Sequence, residues 1–238
     1  MTDGPVLQAV GLDVCYGRAL VLRGASMAVR AGEVLAVLGP TGAGKTTLFR
    51  ALVGERVASR GKVMLRGRDV TGEPLWKRAR AGLGYLPQTP SVLADISVRG
   101  NLETFEQVVG GGSKGAAHWA GLVGLGHRMD LVARDLSGGE RRLLEIARAL
   151  IGRPVVIVCD EPFSGIDPVG ARKVAELLRG EAQRGLAIVL ADHHATLALE
   201  VCDRAILLLD GEVRREGTSQ ELSQDPVVRQ RYLGPMGA

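Results

Sequence analysis

Aromatic residues are scarce in this chain, making up 3% of 238 positions. With so few stacking rings and no stripe of clustered basic residues, a nucleic-acid-binding surface is not expected, although the formal net charge is +4. Cysteine is scarce as well. Cys15, Cys159 and Cys202 are scattered, odd in number and in no C-x-x-C pair, so neither a disulfide framework nor a zinc site is suggested, and a reducing compartment is the natural reading. Long hydrophobic runs are missing: the longest, Val155 to Cys159 and Ala205 to Leu209, fall well short of the roughly 20 residues that a membrane helix needs. Met1-Thr2-Asp3-Gly4-Pro5 lacks the basic-then-apolar pattern of a secretory signal. A cytoplasmic protein is the expectation, with any membrane channel supplied by another polypeptide.

What is present is enough apolar residue, 46% of the chain, to bury the core of one α/β unit. Strand-length apolar runs alternate with amphipathic stretches, the pattern of a mostly parallel sheet covered by helices. Glu33 to Leu38, Val155 to Cys159, Leu186 to Ala191 and Ala205 to Leu209 read as buried strands, and Lys45 to Val53 as a helix. Leu7 to Val14, Ala25 to Val29 and Lys62 to Leu65 read as an antiparallel layer. Asp210-Gly211 sets a hairpin turn before Glu212 to Arg215. Between Gln88 and Leu136 the strand pattern stops and helices are expected near Val98 to Val108 and Ala116 to Val123. The run Gly110-Gly111-Gly112-Ser113 between them reads as a flexible connection.

Three motifs carry chemistry. In Gly39-Pro40-Thr41-Gly42-Ala43-Gly44-Lys45-Thr46, followed by Thr47, the glycines let backbone N–H groups approach a phosphate and the following helix presents its positive end. Lys45 is expected to reach the β and γ phosphates and Thr46 to offer its hydroxyl to Mg²⁺. Asp160-Glu161 ends a buried strand, where ligands bind in open α/β sheets. Asp160 is expected in the Mg²⁺ shell and Glu161 to polarise an attacking water. Cys159, inside that strand, reads as an inert buried thiol. In Leu136-Ser137-Gly138-Gly139-Glu140, Ser137 and Glu140 can form a capping box that leaves the N–H groups of two glycines exposed. A plain helix start and a phosphate-docking site fit that chemistry equally well.

Taken together, these motifs resemble those of the ATP-binding subunits of ABC transporters, and the resemblance covers nearly the whole chain. It implies a P-loop NTPase of ABC type: one nucleotide-binding domain over 1–238, with a mostly parallel core sheet, an antiparallel β layer and a helical subdomain at about 89–150. It further implies an ATPase that hydrolyses ATP·Mg²⁺ as a head-to-tail homodimer. In that dimer Ser137, Gly138 and Gly139 meet the γ-phosphate held by a second subunit, and Asp167 in Ser164-Gly165-Ile166-Asp167 crosses the interface. Gln88, after Leu83-Gly84-Tyr85-Leu86-Pro87, resembles the glutamine that senses Mg²⁺ and water. His193 resembles the histidine that contacts the γ-phosphate, with His194 as competitor. Tyr16 stands where an aromatic stacks on adenine, a core tyrosine being the other reading. Separate transmembrane subunits would hold the protein on the inner face of the cell membrane. Leu93, Ile96 and Phe105 are candidates to line the groove for such a partner, or to pack the helical insertion.

Within the family, Gly84 to Gln88, Leu136 to Arg142, Asp160 to Pro168, Asp192-His193 and Arg231-Tyr232-Leu233-Gly234 look like the ATPase of the lipopolysaccharide export system. Branched-chain amino-acid import ATPases share much of the pattern. A soluble non-transport ABC ATPase is the third reading; those proteins resemble tandem copies of this domain or carry coiled-coil insertions, which this chain lacks.

Overall fold

The computed structural model describes residues 4–109 and 114–229. In chain order the elements are β1 (Leu7–Tyr16), β2 (Ala19–Val29), β3 (Val34–Leu38), α1 (Lys45–Val53), β4 (Arg60–Leu65), β5 (Arg68–Asp69), α2 (Leu75–Arg80) and β6 (Leu83–Leu86). Then follow α3 (Val98–Val109), α4 (Ala116–Leu122), α5 (Gly138–Ile151), β7 (Val156–Asp160), α6 (Pro168–Gln183), β8 (Ala187–Ala191), α7 (Ala195–Val201), β9 (Arg204–Leu209), β10 (Glu212–Thr218) and α8 (Ser219–Gln224).

Among the described residues the strands form a six-stranded sheet in the order β10-β9-β3-β8-β7-β6 and an antiparallel layer in the order β2-β1-β4-β5. In the larger sheet only the β9–β10 hairpin is antiparallel. The expected α/β architecture is therefore present. Most strand edges differ by one or two residues, as where β7 extends to Asp160 and β4 starts at Arg60, but β10 runs three residues further, to Thr218, and β2 starts six residues earlier, at Ala19. Strands β5 and β6 were not anticipated, because two and four residues are too short to show a period. The segment Gly110 to Ser113 and the tail Arg231 to Gly234 lie outside the described residues.

Every residue of β3, β7 and β8 is buried, and their side chains alternate between two cores. Val34, Ala36 and Leu38 face the helices α3 to α7, whereas Leu35 and Val37 face α1 and the antiparallel layer. This two-faced burial is why the runs read as continuously apolar. Each fully buried Leu or Val contributes about 1.5–3 kcal/mol, so the central strands are the rigid frame. A buried arginine anchors one end of α1. The Arg78 guanidinium, fully enclosed, donates to the carbonyls of Ala51 and Leu52 (both 2.7 Å) and satisfies groups that a helix end leaves open. No helix among the described residues is long and apolar enough to cross a membrane.

Candidate functional site

Parallel register brings the site together at the carboxyl end of the sheet. Ala36 pairs with Leu190, and Asp160 pairs with Ala191, so the ends of β3, β8 and β7 lie side by side. The loop leaving β3 turns sharply. A Cβ at Gly39 would run into the Leu208 carbonyl, and one at Gly44, which has φ 107°, would sit 2.9 Å from Leu22 Cδ2. Only glycine fits both places. The loop ends directly in α1, with Gly44 accepting from Leu48 N at 2.8 Å. Thr41 and Gly42 are exposed, Pro40, Thr46 and Thr47 half-buried, and Ala43 buried.

Lys45 is buried, and its Nζ donates to the carbonyls of Gly39 (2.5 Å) and Pro40 (3.0 Å). Burial pulls its pKa below the ordinary lysine value, while the charges of Glu161, Asp160 and Asp192 oppose that shift. One cation thus faces three carboxylates. Asp160 is 2% exposed, and burial, followed by the neighbouring Glu161 charge, pushes its pKa up to about 6. The Thr46 hydroxyl hydrogen-bonds it, and its Oδ2 has no hydrogen-bond partner. A buried carboxylate oxygen left open beside a hydroxyl is the donor set of a hard, oxygen-preferring cation, and it fits Mg²⁺. The buried thiol of Cys159, pushed up to about 12, is inert as expected.

Glu161 follows the strand with φ 54°, a left-handed conformation that non-glycine residues seldom hold. Its Oε1 lies 2.7 Å from His193 Nε2. His194 is used otherwise: its backbone N–H donates to Asp192 Oδ1 at 2.9 Å, where it precedes α7. Gln88 is exposed in the turn after β6, and the pairing of Leu86 with Cys159 puts that turn beside the end of β7.

Ser137 and Glu140 form the expected capping box, through Glu140 N to Ser137 Oγ at 3.2 Å and Ser137 N to Glu140 Oε2 at 2.9 Å. The two glycines are not equally open, which corrects the expectation. Gly138 is half-buried and Gly139 buried, because a Cβ on Gly139 would lie 3.1 Å from Gly170 Cα and one on Gly138 3.1 Å from the Gly165 carbonyl. Helices α5 and α6 start against each other there. Asp167 caps α6, accepting from Val169 N and Gly170 N at 3.0 Å each. These bonds do not reach the 39–46 loop of the same chain.

Tyr16 is 39% exposed, so the core reading fails; one ring face lies against the Arg56 guanidinium, 4.5 Å from its centroid. Leu93 and Ile96 are exposed, whereas Phe105 is partly buried under Arg148, whose Cζ is 3.8 Å from the ring centroid.

Sequence reasoning gave no role to two buried residues. Arg142 donates to the carbonyls of Pro87, Asp160 and Glu161, each at 2.9 Å, and to Glu145 Oε2 at 2.8 Å. It ties α5 to the turn before Gln88 and to the end of β7. Asp192 accepts from Phe163 N (2.7 Å) and Ser164 Oγ (3.3 Å), binding the end of β8 to the turn after Glu161. An arginine within the apolar face of α5 was the available signal for the first.

Comparison with known proteins follows the same lines. The ABC transporter family model matches residues 22–164. The lipopolysaccharide export system ATP-binding protein LptB of Acidithiobacillus ferridurans is 43% identical over 233 residues, covering 96% of this chain and 97% of that protein. LptB of Escherichia coli strain K12 is 36% identical with the same coverage. Among solved structures, the ADP conformation of an ATP-binding cassette of an ABC transporter superposes with a TM-score of 0.87 at 26% identity, covering 97% of this chain and 99% of that one.

Proposed function

This chain belongs to the ATP-binding subunits of ABC transporters, and we propose that it is the ATP-hydrolysing motor of a lipopolysaccharide export system. The observation that carries the catalytic reading is the Glu161–His193 contact of 2.7 Å at the strand end that also bears Asp160. Glu161 orients and polarises the water that attacks the γ-phosphate, and His193 holds that carboxylate on target. Lys45 and the N–H groups from Gly39 to Thr47 cradle the β and γ phosphates. Thr46, Asp160 and Gln88 would hold Mg²⁺, which when bound would supply charge neutralisation at those phosphates. Tyr16 offers its exposed ring to adenine.

Ser137, Gly138, Gly139 and Asp167 act across a head-to-tail homodimer. The described side-chain hydrogen bonds of Ser137 and Asp167 stay within the first turns of α5 and α6, and Ser137 is exposed, which supports a contact with a second copy's phosphate loop. ATP then closes the dimer and hydrolysis opens it. Separate transmembrane subunits, holding the protein on the inner face of the membrane, convert that movement into transport. The helical subdomain at about 89–150 transmits it, since it joins Gln88 to Ser137.

The cargo rests on relatives named for lipopolysaccharide export that match this chain almost end to end. The deciding experiment is replacement of LptB in Escherichia coli by this chain. Restored growth with wild type, but not with Glu161→Gln, supports the reading; absence of complementation by a folded, ATP-hydrolysing chain overturns the cargo.

A further inference from the structure

Eight polar or charged side chains are buried among the described residues. Lys45, Asp160 and Asp192 belong to the site described above, and Arg78 closes the end of α1. The other four, Asn101, Arg142, Glu145 and Arg148, all meet the backbone of one irregular segment, the stretch after β6 that carries Gln88. Residues 88–91 and 93–96 of that segment are exposed, the kind of surface stretch that is ordinarily free to move.

The segment is held on both sides of Gln88. Before it, Arg142 donates to the Pro87 carbonyl at 2.9 Å. After it, Glu145 Oε1 accepts from Ser91 N, and Arg148 Nη1 donates to the Ser91 carbonyl at 2.6 Å. Asn101, on α3, grips Leu93 twice: its Oδ1 accepts from Leu93 N at 2.9 Å and its Nδ2 donates to the Leu93 carbonyl at 3.0 Å. A spacing of three along α5 makes Arg142, Glu145 and Arg148 successive neighbours on the helix surface. Glu145 joins the two sides. Its Oε2 takes Arg142 Nη1 at 2.8 Å, and the same guanidinium holds the carbonyls of Asp160 and Glu161 at the end of β7.

Stability alone does not explain this network. Buried charge is costly, and Arg148 Nε has no hydrogen-bond partner, although the guanidinium lies against the Phe105 ring. Apolar side chains would pack α3 on α5 without that cost. What they could not do is fix N–H and C=O groups of an irregular segment at defined points.

We propose, on the reading that Gln88 meets Mg²⁺ and water, that Asn101, Glu145 and Arg148 are positioning residues for Gln88, acting through the backbone of Ser91 and Leu93. With both flanks of Gln88 held, its amide is preorganised for its ligands and does not search among loop conformations.

Glu145→Gln keeps the side-chain volume but has one acceptor oxygen where Glu145 uses two, so it cannot hold Ser91 and Arg142 together. Asn101→Ala frees Leu93 and leaves the Arg142–Glu145 pair intact. In protein free of metal and nucleotide, both variants should speed amide hydrogen exchange at 88–93 by about tenfold more than in β3 and β8. In ATPase assays both should lower kcat about tenfold and raise the Mg²⁺ concentration for half-maximal rate about tenfold, with ATP affinity measured without Mg²⁺ held within about threefold. Combination with Gln88→Ala separates positioning from a general weakening of the fold. Either variant added to Gln88→Ala should lower kcat by less than about threefold further, because the group it positions is already gone. Fully additive losses, an unchanged Mg²⁺ requirement, or exchange at 88–93 no faster than in the core strands would overturn the proposal. Wild-type rate and Mg²⁺ dependence in Gln88→Ala alone would overturn the Gln88 assignment itself, and the proposal with it.

Discussion

His193 Nε2 lies 2.7 Å from Glu161 Oε1, joining the end of β8 to the end of β7. The left-handed backbone of Glu161 and the position of its partner place this carboxylate beside the charge of Lys45. Glu161→Gln keeps the shape and loses the negative charge. Turnover should fall about a hundredfold or more, with ATP binding retained. Steady-state ATPase assays, with gel filtration for an ATP-dependent dimer, check this; near wild-type hydrolysis rejects Glu161 as the base.

The two adjacent histidines should separate cleanly. His193→Ala removes the group on Glu161, whereas His194 meets Asp192 through its backbone N–H, which any residue supplies. His193→Ala should lower kcat about a hundredfold, and His194→Ala should leave it within about threefold. The reverse order in parallel kinetics would assign the role to His194.

Asp160 makes stability depend on pH. Its folded pKa is raised by burial to about 6, from 3.8. Its contribution is therefore fully present below pH 3.8 and is lost as pH rises through 6, a difference of about 3 kcal/mol. Asp160→Asn should be more stable than wild type at pH 8 without Mg²⁺, and Mg²⁺ should raise the melting temperature of wild type only. Equal stability of the two proteins at pH 8 would refute the shift.

Lys45→Ala should weaken nucleotide binding itself, because a buried cation facing three carboxylates is the group best placed to meet phosphate charge. Isothermal titration should show ATP affinity reduced about tenfold or more. Unchanged affinity would argue against the phosphate-loop assignment.

Arg142 holds the carbonyls of Pro87, Asp160, Glu161 and Pro162 and the buried Glu145 carboxylate. Removing it leaves Glu145 without its ion-pair partner, so Arg142→Ala should cost about 3–5 kcal/mol in urea unfolding. Arg142→Lys cannot reproduce the planar fork and should recover less than half of that loss.

Local chemistry wrote much of this protein into its sequence. Continuous apolar runs marked β3, β7, β8 and β9, because a strand buried on both faces has no polar side to interrupt it. Glycines at 39 and 44 marked the loop, since close backbone approach excludes a Cβ. The Ser137–Glu140 box was readable because both partners lie within one turn. Tertiary structure decided the rest. Which histidine meets Glu161 depends on how β8 registers against β7. The burial of Gly139 depends on α6 packing across α5, and the reach of Arg142 to Pro87 joins residues 55 positions apart. Long-range contacts leave no periodic trace in a chain, so residues whose work is to join distant segments became legible only when the segments met.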